Sequence, residues 1–281
     1  MLILYSCMWP LRFIAGNSIK NVLPVCHSIL KQGKYPIINY AIEHTNSPKQ
    51  ILDEHLRLVK HLDYNYKIAI KLSSFNFDED ILNFLVNICV RKNIRVIIDA
   101  EQGLYNDQYQ EISSVLMRAY NNNIPYVLKT YQMYRKDGLE TLENDLIKSR
   151  IDGYHLGIKL VRGAYFHAEK HQGHLFTEKN LTDESFNNGI LFIGENISNT
   201  YTILATHNYE SIKLGYMYNR HARRRIFEFA HLMGMQEENY HGLTNIGQRV
   251  NVYVPYGPYT QMIPYLTRRL YENIDMLKYM K

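Results

Sequence analysis

A lysine set in an apolar, β-branched run is hard to place in water. Lys71 follows Ile68 and Ile70 in the stretch Tyr66 to Leu72 (YKIAIKL). An ammonium group there must meet an anion or lose its charge. Two chemistries suit it, a Schiff base with a carbonyl compound or a clamp on a carboxylate, and spacing alone does not choose between them. Other apolar runs close on polar groups of the same kind. One ends at Asp99, another reaches Gln132, a third opens into Arg162-Gly163-Ala164-Tyr165 and a fourth into Thr206-His207-Asn208, while a fifth carries Tyr253. Each has an ordinary explanation taken singly, since a strand-end aspartate often caps a helix and a lone histidine is more often a satisfied core residue than a catalyst. Their recurrence at one strand end after another points to a site.

Near the C-terminus, Tyr265-Leu266-Thr267-Arg268-Arg269-Leu270-Tyr271-Glu272-Asn273 puts two arginines side by side. On a helix they point about 100° apart, so both reach one small anion only if the helix end leans over a pocket. On this segment alone, solvated arginines with one paired to Glu272 are the simpler reading. His171-Gln172-Gly173-His174 spaces two histidines three apart in a polar stretch without a carboxylate or cysteine set, which predicts a solvated loop and no metal site.

The elements that must position these groups alternate. Eight β-branched runs occur at Pro36 to Glu43, Tyr66 to Leu72, Ile94 to Asp99, Pro125 to Thr130, Gly157 to Val161, Tyr201 to Thr206, Arg225 to Phe229 and Val250 to Pro255. Helical stretches are predicted between and after them: Lys49 to Leu62, Asp78 to Lys92, Gln108 to Asn121, Leu139 to Lys148, Asp183 to Asn196, Tyr209 to Asn219 and Tyr259 to Tyr279, with a short irregular piece near Glu237 to Ile246. The Asp78-Glu79-Asp80 cluster opens its helix with acids, as the helix dipole favours. Eight βα units in about 250 residues give the rhythm of a closed (β/α)8 barrel, whose strand C-termini carry the site. A doubly wound sheet would use fewer strands and usually a glycine-rich phosphate loop, which the sequence lacks.

Composition narrows the function. The 281 residues are 46% hydrophobic and 21% charged, as in one large α/β domain. A net charge of +5 allows contact with an anionic cofactor or membrane surface, but the basic residues lack the clustering of a nucleic-acid binder. The three cysteines, Cys7, Cys26 and Cys89, are far apart and suggest neither disulfides nor zinc. No apolar run approaches the roughly 20 residues that span a bilayer, so any membrane contact is expected to be peripheral. Residues 1–34 are expected to be an N-terminal extension, a residual transit peptide or a truncated arm, with residues 35–281 forming the barrel.

Read in order, the motifs closely resemble those of proline dehydrogenases. Lys71-Leu72-Ser73, Ile98-Asp99-Ala100-Glu101, Thr130-Tyr131-Gln132, Lys159-Leu160-Val161-Arg162-Gly163-Ala164-Tyr165, Ala205-Thr206-His207-Asn208, Leu232-Met233-Gly234-Met235, Tyr253-Val254-Pro255-Tyr256-Gly257 and the Tyr265 to Asn273 segment carry the likeness. The resemblance covers the chain from about Tyr35 onward; the region before it does not match. It implies a distorted barrel that binds FAD noncovalently and oxidises L-proline to 1-pyrroline-5-carboxylate, with hydride leaving C5 for flavin N5 and the electrons passing to a quinone. By the same resemblance Lys71, Arg268 and Arg269 bind the substrate carboxylate, and Tyr165, Leu232, Tyr253 and Tyr265 wall its ring. Asp99 orients Tyr253 and its neighbours. Ala100, Gln132, Arg162, Gly163, Ala164, Thr206, His207 and Asn208 contact the flavin and its tail. Lys159 falls near flavin N5, where many bacterial members have arginine and eukaryotic members usually have lysine. That favours a mitochondrial protein, peripheral to the inner membrane on its matrix side; a bacterial member would be cytoplasmic and membrane-associated. Two rivals follow: a hydroxyproline dehydrogenase, disfavoured because Tyr253 and Tyr265 leave little room for a hydroxyl, and a Schiff-base lyase or aldolase using Lys71.

Overall fold

The computed structural model of the chain describes residues 12–42, 47–222 and 224–262. Eight parallel strands close into a barrel in sequence order: β1 Tyr35–Tyr40, β2 Lys67–Ile70, β3 Arg95–Ile98, β4 Val127–Gln132, β5 Leu156–Val161, β6 Thr200–Ala205, β7 Phe227–Leu232 and β8 Val250–Tyr256. Closure is made by β1 and β8, in register from Tyr35 opposite Asn251 to Tyr40 opposite Tyr256. The helices, α1 Ile19–Lys31, α2 Pro48–Val59, α3 Glu79–Arg91, α4 Asn106–Tyr120, α5 Gly138–Asp152, α6 Lys179–Glu195, α7 Tyr209–His221 and α8 Glu237–Asn245, form the outer ring.

Side chains alternate across a strand, and here the two faces do different work. The outward set, including Ile38, Ile68, Ile70, Val96, Ile98, Leu160, Phe227 and Phe229, packs with helix residues such as Leu58, Leu82, Leu85 and Phe186 in one continuous core. Full burial of such a side chain stabilises by about 1.5–3 kcal/mol. The inward set runs in layers. At the N-terminal end lie Lys67, Arg95, Tyr201, Glu228 and Asn251; midway lie Ile37, Ala69, Ile97, Leu128, Ile203, Ala230 and Tyr253. At the C-terminal end the same parity delivers Lys71, Asp99, Gln132 and Leu232.

Capping follows the sequence. Asp78 Oδ1 accepts from Ile81 N at 3.0 Å at the start of α3, and Asn208 Oδ1 accepts from Ser211 N at 3.2 Å at the start of α7. The predicted strand Arg225 to Phe229 is displaced, because β7 extends to Leu232. His231 interrupts the apolar run, but its ring stacks on Tyr240 of α8 at 4.4 Å, so it is accommodated in the outer layer. Helix α1 has no counterpart among the predicted elements. Pro24 inside it argues against a helix, yet Val22, Cys26 and Ile29 share one buried face, and tertiary burial outweighs the missing hydrogen bond. Of the last predicted helix, residues 259–262 are helical; the rest, with Tyr265, Arg268, Arg269, Glu272 and Asn273, lies outside the described residues.

Candidate active site

Strand ends supply the first cluster. Asp99 is the residue after β3, and its backbone N donates to Ile70 O of β2 at 2.8 Å, which fixes where its side chain emerges. Oδ1 accepts from Lys159 Nζ of β5 at 2.5 Å, and Oδ2 accepts from Tyr253 OH of β8 at 2.5 Å. The Lys159 ammonium also lies 4.9 Å from the centre of the Tyr253 ring, an attractive cation–π distance. Three strands are thus tied together at one carboxylate, which is 6% exposed. Burial pushes the Asp99 carboxyl up, but Lys159 and Lys71, with hydrogen bonds from Lys159 and Tyr253, hold it below the usual range. It is an anion at neutral pH.

Lys71 is the residue after β2 and opens the turn Leu72–Phe75. Its Nζ donates to Tyr165 OH and lies 3.4 Å from Ala100 O, while Tyr165 OH donates to the same carbonyl at 3.3 Å. Lys71, Asp99, Ala100, Lys159, Tyr165 and Tyr253 therefore form one group at the barrel mouth. Their arrangement puts two ammonium groups, two phenols and an oriented carboxylate around a small volume, a set suited to an anion with an apolar body. The neighbouring acid, Glu101, is engaged elsewhere: it accepts from Ser73 N at 2.9 Å and Ser73 Oγ at 3.1 Å.

A second group lies around β4, β5 and β6. Gln132 Oε1 accepts from Ala164 N at 3.3 Å and its Nε2 donates to Glu101 O at 3.4 Å, linking the two groups. Arg162 is tied to the protein itself. Its Nε donates to Asp183 Oδ1 at 2.5 Å, and its two terminal nitrogens donate to Thr206 Oγ1 at 2.5 Å and Ser211 Oγ at 3.0 Å. Thr206 Oγ1 also accepts from Asn208 N at 3.1 Å. His207 differs from these, because its Nδ1 is buried without a hydrogen-bond partner among the described residues. Burial, with His231 and Arg162 nearby, pushes this imidazole down to about 3, so it is neutral and can donate or accept towards a bound group.

Gly163 has φ +151, and a Cβ there would sit 2.5 Å from the ring of Tyr134, so the turn admits no larger residue. Sequence reasoning passed over what holds that ring. Tyr134 OH donates to Glu169 Oε2 at 3.2 Å, Gly103 N donates to Glu169 Oε1 at 2.7 Å, and His174 Nε2 lies 3.2 Å from Oε2. His171, Gln172 and Gly173 are exposed, as expected of a solvated loop, but His174 turns in to face a buried carboxylate. Glu169 four residues beyond Tyr165, one helical turn along the loop that follows β5, was the available signal. Asp183 and Ser211, the partners of Arg162, gave none, since they lie on helices distant in sequence. Leu232 ends β7 and packs against both the inner layer with Tyr253 and an apolar group over the mouth. No cluster of three or more His, Cys, Asp or Glu that could hold a metal occurs among the described residues.

Fold and site together define a (β/α)8 barrel with ionic and phenolic groups converging at its C-terminal mouth. The model of the family described as proline dehydrogenase matches residues 33–281, and the chain belongs to that family. "Probable proline dehydrogenase, mitochondrial" of Schizosaccharomyces pombe is 31% identical over 91% of this chain and 54% of its own length. "Proline dehydrogenase 1, mitochondrial" of Caenorhabditis elegans is 28% identical over 67% of this chain and 33% of its own. The chain therefore spans about a third to a half of the length of these two relatives. Among solved structures, proline utilization A of Bdellovibrio bacteriovorus, inactivated by N-propargylglycine, superposes with a TM-score of 0.87 at 20% identity, covering 94% of this chain and 32% of that one. That likeness establishes the fold.

Proposed function

We propose that this chain is a flavin-dependent proline dehydrogenase that oxidises L-proline to 1-pyrroline-5-carboxylate. The observation that carries the reading is the buried Asp99, bridging Lys159 and Tyr253 beside Lys71 and Tyr165, in a chain of this family. Proline is a small zwitterion, and its recognition needs cations for the carboxylate and a close apolar wall for the ring. Lys71 holds the carboxylate, joined by Arg268 and Arg269, while Tyr165, Leu232, Tyr253 and Tyr265 enclose the ring methylenes. Asp99 acts on Tyr253 and Lys159: by accepting from both it fixes the phenol and the ammonium against the substrate, so that little reorganisation is needed at the moment of reaction.

The residues fit FAD. His207 offers a buried imidazole nitrogen that lacks a partner, and Gly163 and Ala164 present backbone beside Gln132. Ala100, Gln132, Arg162, Gly163, Ala164, Thr206, His207 and Asn208 would hold the cofactor, Arg162 by fixing the Thr206 loop more than by direct charge. Bound FAD supplies the two-electron acceptor that no side chain provides. A quinone takes the electrons, and the protein works in mitochondria, peripheral to the inner membrane on its matrix side. Two mitochondrial relatives support that location, and no helix among the described residues is long and apolar enough to cross a membrane.

An anaerobic absorbance spectrum tests the reading. A bound oxidised-flavin band that bleaches on adding L-proline is the expected result. A protein that cannot be loaded with FAD, or a bound flavin that ignores proline, would overturn it.

A further inference from the structure

Residues 12–16 lie over the edge of the barrel mouth formed by the ends of β1, β7 and β8. Ala15 N donates to Pro255 O at 2.8 Å and Gly257 N donates to Gly16 O at 3.2 Å, which stitches this segment to the end of β8. Arg12 donates from Nη2 to Gly234 O at 2.8 Å, which ties it to the loop after β7. Gly234 has φ +78, and a Cβ there would lie 2.8 Å from Arg12 O and 3.0 Å from Phe13 Cδ1. The loop is thus shaped to let the strap pass closely. Phe13 and Ile14 are 8% and 5% exposed and cluster with Ala41, Met235 and Met262. These three follow β1, β7 and β8, so the cluster roofs one side of the mouth.

Leu232 connects this roof to the interior. It packs on one side against the inner layer that contains Ala230 and Tyr253, and on the other against the strap cluster. A leucine so placed can retreat only as far as the cluster behind it permits, because interiors are close-packed and shortening one neighbour opens real space. We infer that the strap is the outer wall of the substrate pocket and that Phe13 is a positioning residue, holding Leu232 forward so that a five-membered ring is preferred to a six-membered one. This rests on the proposed oxidation of proline. The surface so formed makes no covalent step of its own; it selects the ring that enters.

The test uses the full, FAD-loaded chain with L-proline and its ring-enlarged homologue L-pipecolate. Phe13→Ala is expected to raise the ratio of kcat/KM for pipecolate over proline by about tenfold, the usual worth of a few methylenes in an apolar pocket. Most of the change falls in the KM for proline, with kcat for proline held within about twofold. Phe13→Met, close in volume, is expected to restore the wild-type ratio. Should Phe13→Ala not fold, Phe13→Val carries the same test, with a rise of about threefold expected. A folded Phe13→Ala or Phe13→Val protein with the wild-type ratio, or a Phe13→Met protein shifted as far as Phe13→Ala, overturns the inference and leaves a strap that only stabilises. A wild-type protein that does not oxidise proline overturns the reading beneath it as well.

Discussion

Both ends of this barrel bury a lysine against a carboxylate, yet the two pairs have different surroundings. At the N-terminal end Lys67 Nζ lies 3.4 Å from Glu228 and donates to Asn251 Oδ1 at 2.7 Å. Asn251 in turn donates to Glu228 Oε2 at 3.0 Å, and Arg249 pairs with Oε1 at 3.3 Å. Arg249 also lies over the Tyr35 ring at 3.8 Å, and one further cation, Arg95, lies over Tyr201 at 4.4 Å. Burial pushes Lys67 down to about 8, against the pull of Glu228. Burial raises the Glu228 carboxyl, but Lys67 and Arg249 hold it below its ordinary range. The network closes on itself and plugs the barrel. At the C-terminal end the same pairing of lysine with carboxylate lies beneath Leu232 and the strap, with tyrosines presented beside it. The same pairing is therefore closed off at one strand end and, on the function proposed above, put to use at the other, as expected when loops build the site only at the C-terminal face.

Substitutions can break that contrast. The largest effect is expected from Asp99→Asn, which removes the charge that holds Lys159 and replaces one of the two oxygens that accept from Lys159 and Tyr253 by a donor: kcat/KM for proline should fall about a thousandfold, within the span of losing a positioned acid–base group. Steady-state kinetics on the FAD-loaded protein check it, and a loss under tenfold would remove Asp99 from the working machinery. Glu228→Gln should do the reverse. Breaking one partner of a buried pair destabilises by about 4 kcal/mol, measured by denaturant unfolding, while kcat/KM at 25 °C stays within about twofold of wild type. A comparable drop in activity would mean that the two ends are coupled.

Acid sharpens the comparison further, because the outer layer buries neutral histidines. Burial pushes His55 down to about 4, against a hydrogen bond to Ile51 O that acts the other way, and its ring nitrogen is 2.8 Å from that carbonyl. A folded-state pKa below the ordinary value of about 6.5 means that the unfolded chain binds the proton first. The stabilisation is complete above pH of about 6.5 and is lost as pH falls towards about 4, by about 3 kcal/mol for this one group. His55→Gln should flatten that slope in melts taken across the interval, and an unchanged slope would exclude His55 as its source. Asp99, already held low, should leave activity flat through the same range until unfolding intervenes. The smallest effect is expected for Tyr253→Phe. Losing one hydrogen bond to a charged acceptor costs about 1.5–3 kcal/mol, read here as a fall in kcat/KM of roughly tenfold to a hundredfold with the ring wall intact; a KM change without a kcat change would assign the phenol to binding alone.

The alternating pattern of β-branched and amphipathic stretches was enough for the eight βα units, and the residues closing those runs were enough for the neighbourhood of the mouth. Lys71, Asp99 and Thr206 each fall within a residue of a strand end in both readings, because local periodicity and the start of the next turn are written in adjacent residues. What the sequence could not decide is which partners meet. Asp99 takes Lys159 and Tyr253 from strands remote in the chain, and Glu169 draws in Gly103, Tyr134 and His174 from three different loops. Residues 12–16 and helix α1 carry no strand–helix rhythm, and their place over β8 and beside Leu232 follows from burial that only the closed barrel creates. Parity fixes which face a side chain takes; closure of the sheet alone decides what it finds there.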